Sequence, residues 1–241
     1  MERHPYGCGK YLANLAINSA VGSISNIISS LVYGLIMRLF FSTGGKKTSS
    51  IIEYVSRFSN KPILYLEIFN ICICAPIVEE LIWRKLLIDR LALYSKRLAI
   101  FGSGILFGIG HFNIHQLFSA MFLGWSFAYA YAETNNIFIP ISFHMFENSY
   151  ATLINLFLLK KEILSVIGLL RIIIFLIGVC LLIRNRNSII IRGEENNFED
   201  KWVLFKSYGM KCFIIEGIII IIYNTIRTKE RVPNNFQQNL K

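Results

Sequence analysis

Residues 163–183 form an apolar run broken by a single charge, Arg171. A run of about 18 or more apolar residues is long enough to cross a bilayer as a helix. Comparable stretches lie within residues 11–41, 62–91, 98–112, 116–133 and 137–159, divided by short polar turns at Asn113-Ile114-His115, Thr134-Asn135-Asn136 and Lys160-Lys161-Glu162. Residues 212–226 are apolar but short, and read as a marginal seventh span or a re-entrant segment. The predicted fold is all-α, a polytopic transmembrane helical bundle of six to seven spans. Charge density agrees: 17% of the 241 residues are charged, against about 25% in a soluble domain. Three regions are expected: residues 1–61 as an N-terminal span and polar connection, 62–159 as a core, and 160–241 as C-terminal spans with a charged loop.

The formal charge of +10 raises nucleic acid as a partner. The Lys and Arg residues flank apolar runs, however, and show no basic-aromatic pattern, so they read as loop charges meeting lipid headgroups. No nucleic-acid partner is expected. Five scattered cysteines, Cys8, Cys72, Cys74, Cys180 and Cys212, imply neither a disulfide framework nor a zinc element. The first ten residues do not lead into a signal-peptide core, and the last four contain no prenylation box. Ser19, Gly22, Ser23 and Ser29 suit close helix packing in the first span. Residues 51–58 read as a short amphipathic segment on the membrane surface.

Charges inside such helices are expensive, roughly 2.5–3.5 kcal/mol for one central acidic residue on insertion scales, and mark functional sites by default. The segment Pro76-Ile77-Val78-Glu79-Glu80-Leu81-Ile82-Trp83-Arg84 carries three of them. Residues four apart share a helix face, so Glu80 is expected to pair with Arg84, while Glu79 points about 100° away and is left free. Two further motifs share the spacing: Phe107-x-x-x-His111 and His144-x-x-x-Asn148. One helix thus offers a carboxylate, a second an imidazole, and a third an imidazole with a carboxamide.

That set suits water activation. A partly desolvated glutamate is a stronger general base, a histidine beside it can hold the water or shuttle its proton, and a second histidine with an asparagine can donate to a developing oxyanion. No serine or cysteine stands beside an obvious base. Two histidines and a glutamate are also adequate zinc ligands, which makes metal-assisted hydrolysis the close variant.

The three motifs, EExxxR, FxxxH and HxxxN in that order on separate helices, resemble those of the CaaX protease and bacteriocin-processing enzyme family (CPBP, or Abi) of intramembrane metalloproteases. Gly124, the Thr134-Asn135-Asn136-Ile137 turn and Pro140 add to the likeness, which covers roughly residues 63–159; Asn135 stands where a small residue is usual. The resemblance implies that Glu79 and His111 activate the water, that His144 and Asn148 complete the site and stabilise the oxyanion, that Glu80 and Arg84 form a supporting pair, and that Phe107 packs against them. It makes residues 62–159 the catalytic core. It implies either a zinc ion on Glu79, His111 and His144 or a metal-free, glutamate-dependent reaction. The implied activity is that of an endopeptidase cleaving a membrane-associated peptide or prenylated protein, as in CaaX processing or bacteriocin maturation and self-immunity. The short chain and its Ile- and Asn-rich composition point to a bacterial-type member, located in the cell membrane.

Two other readings compete. A non-catalytic immunity or scaffolding protein would keep the motifs for structure. A small transporter would use the buried Glu and His residues as a proton relay, although no pair of broken helices in corresponding halves is evident. Outside the set, His115 reads as a loop residue, Glu147 as facing a polar rim, and Arg171 as a partner for Glu216 across two helices.

Overall fold

The computed structural model describes residues 7–41, 61–157, 161–187 and 206–230. The segment 51–58, read above as amphipathic, lies outside them, as does most of the charged loop. Among the described residues there are seven helices and no strands.

Helix α1 is Cys8–Phe41. Helix α2 is composite: Lys61–Phe69, a π turn Asn70–Cys74, Ala75–Glu80, a second π turn Leu81–Leu86, and Leu87–Leu91, end to end. Then follow α3 (Lys96–Gly110), α4 (Ile114–Thr134), α5 (Phe138–Leu156), α6 (Lys161–Asn185) and α7 (Tyr208–Glu230). Four helical stretches are long and apolar enough to cross a membrane: Cys8–Leu39, Pro62–Leu91, Lys161–Asn185 and Tyr208–Arg227. The stretch read as marginal, residues 212–226, is thus part of a full-length helix. Large apolar side chains such as Leu31, Leu39, Leu66, Leu169 and Leu176 face outward, as lipid-facing residues must. The chain is an integral, multi-pass membrane protein.

Helix α4 is central. It pairs with α3 through a tight turn and also packs against α1, α5 and α7, while α6 lies along α1. Small residues permit these approaches. A Cβ on Gly178 of α6 would run into the backbone of Ala16 on α1, and one on Gly104 of α3 would enter the Trp125 ring of α4. Ser19 and Ser29 of α1 are fully buried, and a Cβ on Gly22 would stand 3.0 Å from Glu147 Oε2. Helix starts follow the sequence: Ser95 caps α3 and Asn113 caps α4, each by accepting a backbone N–H. Helix α4 ends at Asn135, whose φ of 49° is a left-handed conformation that asparagine tolerates.

The composite nature of α2 has a local cause. Proline brings no N–H to a helix and crowds the turn before it. Just ahead of Pro76 the hydrogen bonding slips to five-residue spacing, with Ala75 N–H donating to Asn70 O. In that spacing the carbonyl of Ile71 would be served by residue 76, which has no proton to give. The second slip, where Leu87 N–H donates to Ile82 O, follows Glu80 directly. The two acidic residues therefore sit between two widened turns, a feature common at functional sites.

Candidate active site

Between its π turns, α2 presents Glu80 inward and Glu79 to the edge. Glu80 and Arg84 are fully buried and pair at 2.8 Å between Oε2 and Nε, a close but poorly aligned contact, with a second one at 3.3 Å from Nη2 to Oε1. Arg84 Nη1 donates to Ser103 Oγ at 2.7 Å, and Ser103 donates on to Trp83 O at 2.9 Å. The guanidinium also lies 4.9 Å from the centre of the Phe107 ring and 5.8 Å from that of Phe127. A buried ion pair is tolerable only when its remaining valences are met like this.

Glu80 does more than balance Arg84. Its Oε1 lies 3.0 Å from Nδ1 of His144 on α5. An ionised carboxylate can only accept, so Nδ1 carries the proton. Nε2 is then turned toward Glu79, whose Oε2 lies 3.8 Å away. The imidazole is held from both sides, stacked on Phe127 at 5.1 Å and edge-on to Phe107 at 5.6 Å. The side chain of Glu79 is 34% exposed, yet its Oε2 is buried and finds no donor among the described residues.

His111 stands at the end of α3. Its Nδ1 lies 2.8 Å from Phe107 O; a carbonyl accepts, so this nitrogen too is the protonated one and Nε2 keeps its lone pair. Its ring meets that of Phe107 edge-on at 4.8 Å, and it lies within electrostatic reach of Glu79 and His144. The next residue, Phe112, adopts φ 50°, a left-handed conformation that disfavours a bulky side chain by about 1–2 kcal/mol.

Asn148 was read as an oxyanion donor. Its Nδ2 donates to Ile71 O at 2.9 Å, the carbonyl that Pro76 cannot serve. One of its two amide protons is thereby used to dock α5 on the first π turn.

Three readings outside the set are corrected. Arg171 does not pair with Glu216, which is exposed on α7. It forms a two-pronged ion pair with Glu147 at 2.8 and 3.2 Å, adds Ser23 Oγ and Ser19 O, and lies over the Tyr150 ring at 4.3 Å. Glu147 therefore faces no polar rim but the α1–α6 packing. His115 belongs to the first turn of α4 rather than to a loop, with its ring edge-on to Tyr33 at 5.2 Å. Sequence reasoning missed Ser103 and Phe127: one lies among glycines, the other among apolar residues, and neither carried a polar or periodic signal.

The arrangement gathers a carboxylate with a buried, unserved oxygen and two imidazoles whose Nε2 atoms are the free ones. The Glu80–His144 bond is also the carboxylate–histidine contact that orients histidine metal ligands. Even so, no three His, Cys, Asp or Glu side chains among the described residues form a group that could hold a metal ion.

Comparison with known proteins bears on the same helices. Residues 61–150 match the family model for the Type II CAAX prenyl endopeptidase Rce1-like proteins. This part of the chain is similar to the Rce1-like family. The match agrees with the CaaX protease resemblance, and its limits enclose all three motifs. A curated relative, "Putative membrane peptidase YdiL" of Bacillus subtilis (strain 168), is 36% identical over 87 residues. The match spans 35% of this chain and 35% of that relative. No solved structure matches. Helices α1, α6 and α7 lie outside the Rce1-like segment, yet α6 supplies Arg171 to Glu147, and Asn224 of α7 donates to Phe112 O at 2.9 Å.

Proposed function

We propose that the protein is an intramembrane endopeptidase that hydrolyses a peptide bond in a membrane-associated peptide or prenylated protein. The observation that supports this best is the alignment of Glu80, His144 and Glu79. Glu80 fixes the proton of His144 on Nδ1, so Nε2 faces the Glu79 carboxylate, whose buried oxygen accepts no hydrogen bond among the described residues. Glu79 takes a proton from water held beside it, with His111 Nε2 as a second acceptor, and the hydroxide attacks the scissile carbonyl. The second amide proton of Asn148 is a donor for the oxyanion, and so is an Nε2–H on His144 once its imidazole has taken a further proton from solvent. Glu79 then returns its proton to the departing amine. The metal-assisted variant, zinc on Glu79, His111 and His144, would polarise the carbonyl or the water, but these side chains would first have to draw closer, since they form no metal-holding group as they stand. The substrate class that the matching family's name carries, prenylated CaaX proteins, is the first to test, and bacteriocin processing or self-immunity is the second.

The experiment is a membrane-peptide library, including prenylated CaaX peptides, presented in liposomes to the wild type, Glu79→Gln and His144→Ala. The reading expects cleavage by the wild type alone. No cleavage by the wild type, with both variants retaining full effect in the cell, would favour a non-catalytic immunity or scaffolding protein. Chelation with zinc add-back on the same samples decides the metal: loss and recovery assign zinc to Glu79, His111 and His144, and unchanged rates leave the water to the side chains.

A further inference from the structure

We propose that α7 is a positioning element of the hydrolytic site, and that Asn224 sets His111 through the backbone of Phe112. This rests on the hydrolytic reading above. Helix α7 lies beyond the Rce1-like segment.

His111 caps the C-terminal end of α3 and is still near-helical, with φ −77° and ψ −11°. Two residues later Asn113 is extended, with φ −139° and ψ 120°. The whole reversal between α3 and α4 is therefore made at Phe112, with φ 50°. A bulky residue persists there only when its surroundings over-determine it. Its own helix supplies one bond, Phe112 N–H to Ile109 O at 2.9 Å. Its carbonyl accepts from Asn224 Nδ2 at 2.9 Å, and its ring meets that of Phe213 at 6.2 Å.

These contacts come from one face of α7. Phe213, Gly217 and Asn224 are spaced by four and seven residues, which share a helix face. Gly217 is where α7 comes closest: a Cβ there would run into Ile109 and stand 3.7 Å from the Phe112 ring. Phe213 also meets Trp83 of α2 at 5.8 Å, and Trp83 O anchors the serine that holds Arg84. One helix face thus touches both the turn that aims His111 and the helix that carries Glu79. The side-chain bond from Asn224 to the Phe112 carbonyl helps fix a conformation that disfavours a bulky residue, and the direction of the His111 ring follows from it. Asn224 is exposed, so replacing it leaves the core packing intact.

The test uses full-length protein in liposomes, with Asn224→Leu, Phe112→Gly and the double variant. Two readouts are taken: kcat and KM on the fastest-cleaved peptide of the library, and the rate at which diethyl pyrocarbonate modifies His111, followed by mass spectrometry. Asn224→Leu is expected to lower kcat about tenfold with little change in KM, and to change the modification rate of His111 but not of His144. Phe112→Gly in the same chain is expected to restore most of the kcat, because glycine takes the left-handed conformation without help. Unchanged kcat and unchanged His111 reactivity in Asn224→Leu would overturn the proposal, as would a kcat loss that Phe112→Gly fails to restore. If the wild type cleaves nothing, the hydrolytic reading fails by itself, and the His111 modification rate still decides whether Asn224 sets that side chain.

Discussion

Glu80 Oε1 and His144 Nδ1 meet at 3.0 Å across 64 residues of sequence. The same carboxylate balances Arg84, so one buried group both neutralises a charge and sets the tautomer of a site histidine. Its removal should damage two properties that can be separated. Glu80→Gln leaves Arg84 charged and uncompensated, and a loss of about 3–5 kcal/mol in stability is expected. Adding Arg84→Met should recover much of that stability, read from unfolding temperature in detergent. Turnover should stay low, because a neutral amide holds the Nδ1–H of His144 more weakly than the carboxylate did.

Asn148 should show a different pattern. Asn148→Leu strands the carbonyl of Ile71, with an expected loss of about 1–3 kcal/mol. Pro76→Ala restores a backbone N–H one helical step away and should recover part of the stability in the double variant. Equal losses in the single and double variants would show that the Pro76 vacancy is not what Asn148 fills.

The polar cluster of the candidate site was largely legible because its residues are costly in a membrane. Glu79, Glu80, Arg84, His111 and His144 are polar in apolar helices at four-residue spacing, and that spacing survived folding for Glu80 with Arg84 and for Phe107 with His111. The link between Glu80 and His144 was not legible, since helix periodicity says nothing about which helices meet. For the same reason Arg171 was matched to the wrong acid, Glu216: only the packing of α5 and α6 against α1 brings Glu147 within its reach. The π turns were hidden as well, although Pro76 marked where one must fall.

Arg171 and Glu147 give a further prediction. Arg171→Met alone should destabilise the protein by about 3–5 kcal/mol, and the double variant with Glu147→Met should recover most of it. Glu216→Gln should leave the unfolding temperature unchanged, because that side chain is exposed on α7.

The α1–α6 contact depends on Gly178. In Gly178→Ala the new methyl meets the Ala16 backbone, which cannot step aside as a flexible side chain could. A loss of about 1–3 kcal/mol is expected. Cysteines placed on facing positions of the two helices should crosslink more slowly in that variant than in the wild type.

The central claim is that Glu79 is the base and Glu80 its support. The most direct measurement is the cleavage rate of one membrane peptide in liposomes by wild type and Glu79→Gln, with unfolding temperature recorded on both. A rate loss of about 100-fold or more is expected with an unchanged unfolding temperature, since the buried oxygen of Glu79 accepts no hydrogen bond among the described residues. Wild-type cleavage by Glu79→Gln would contradict it.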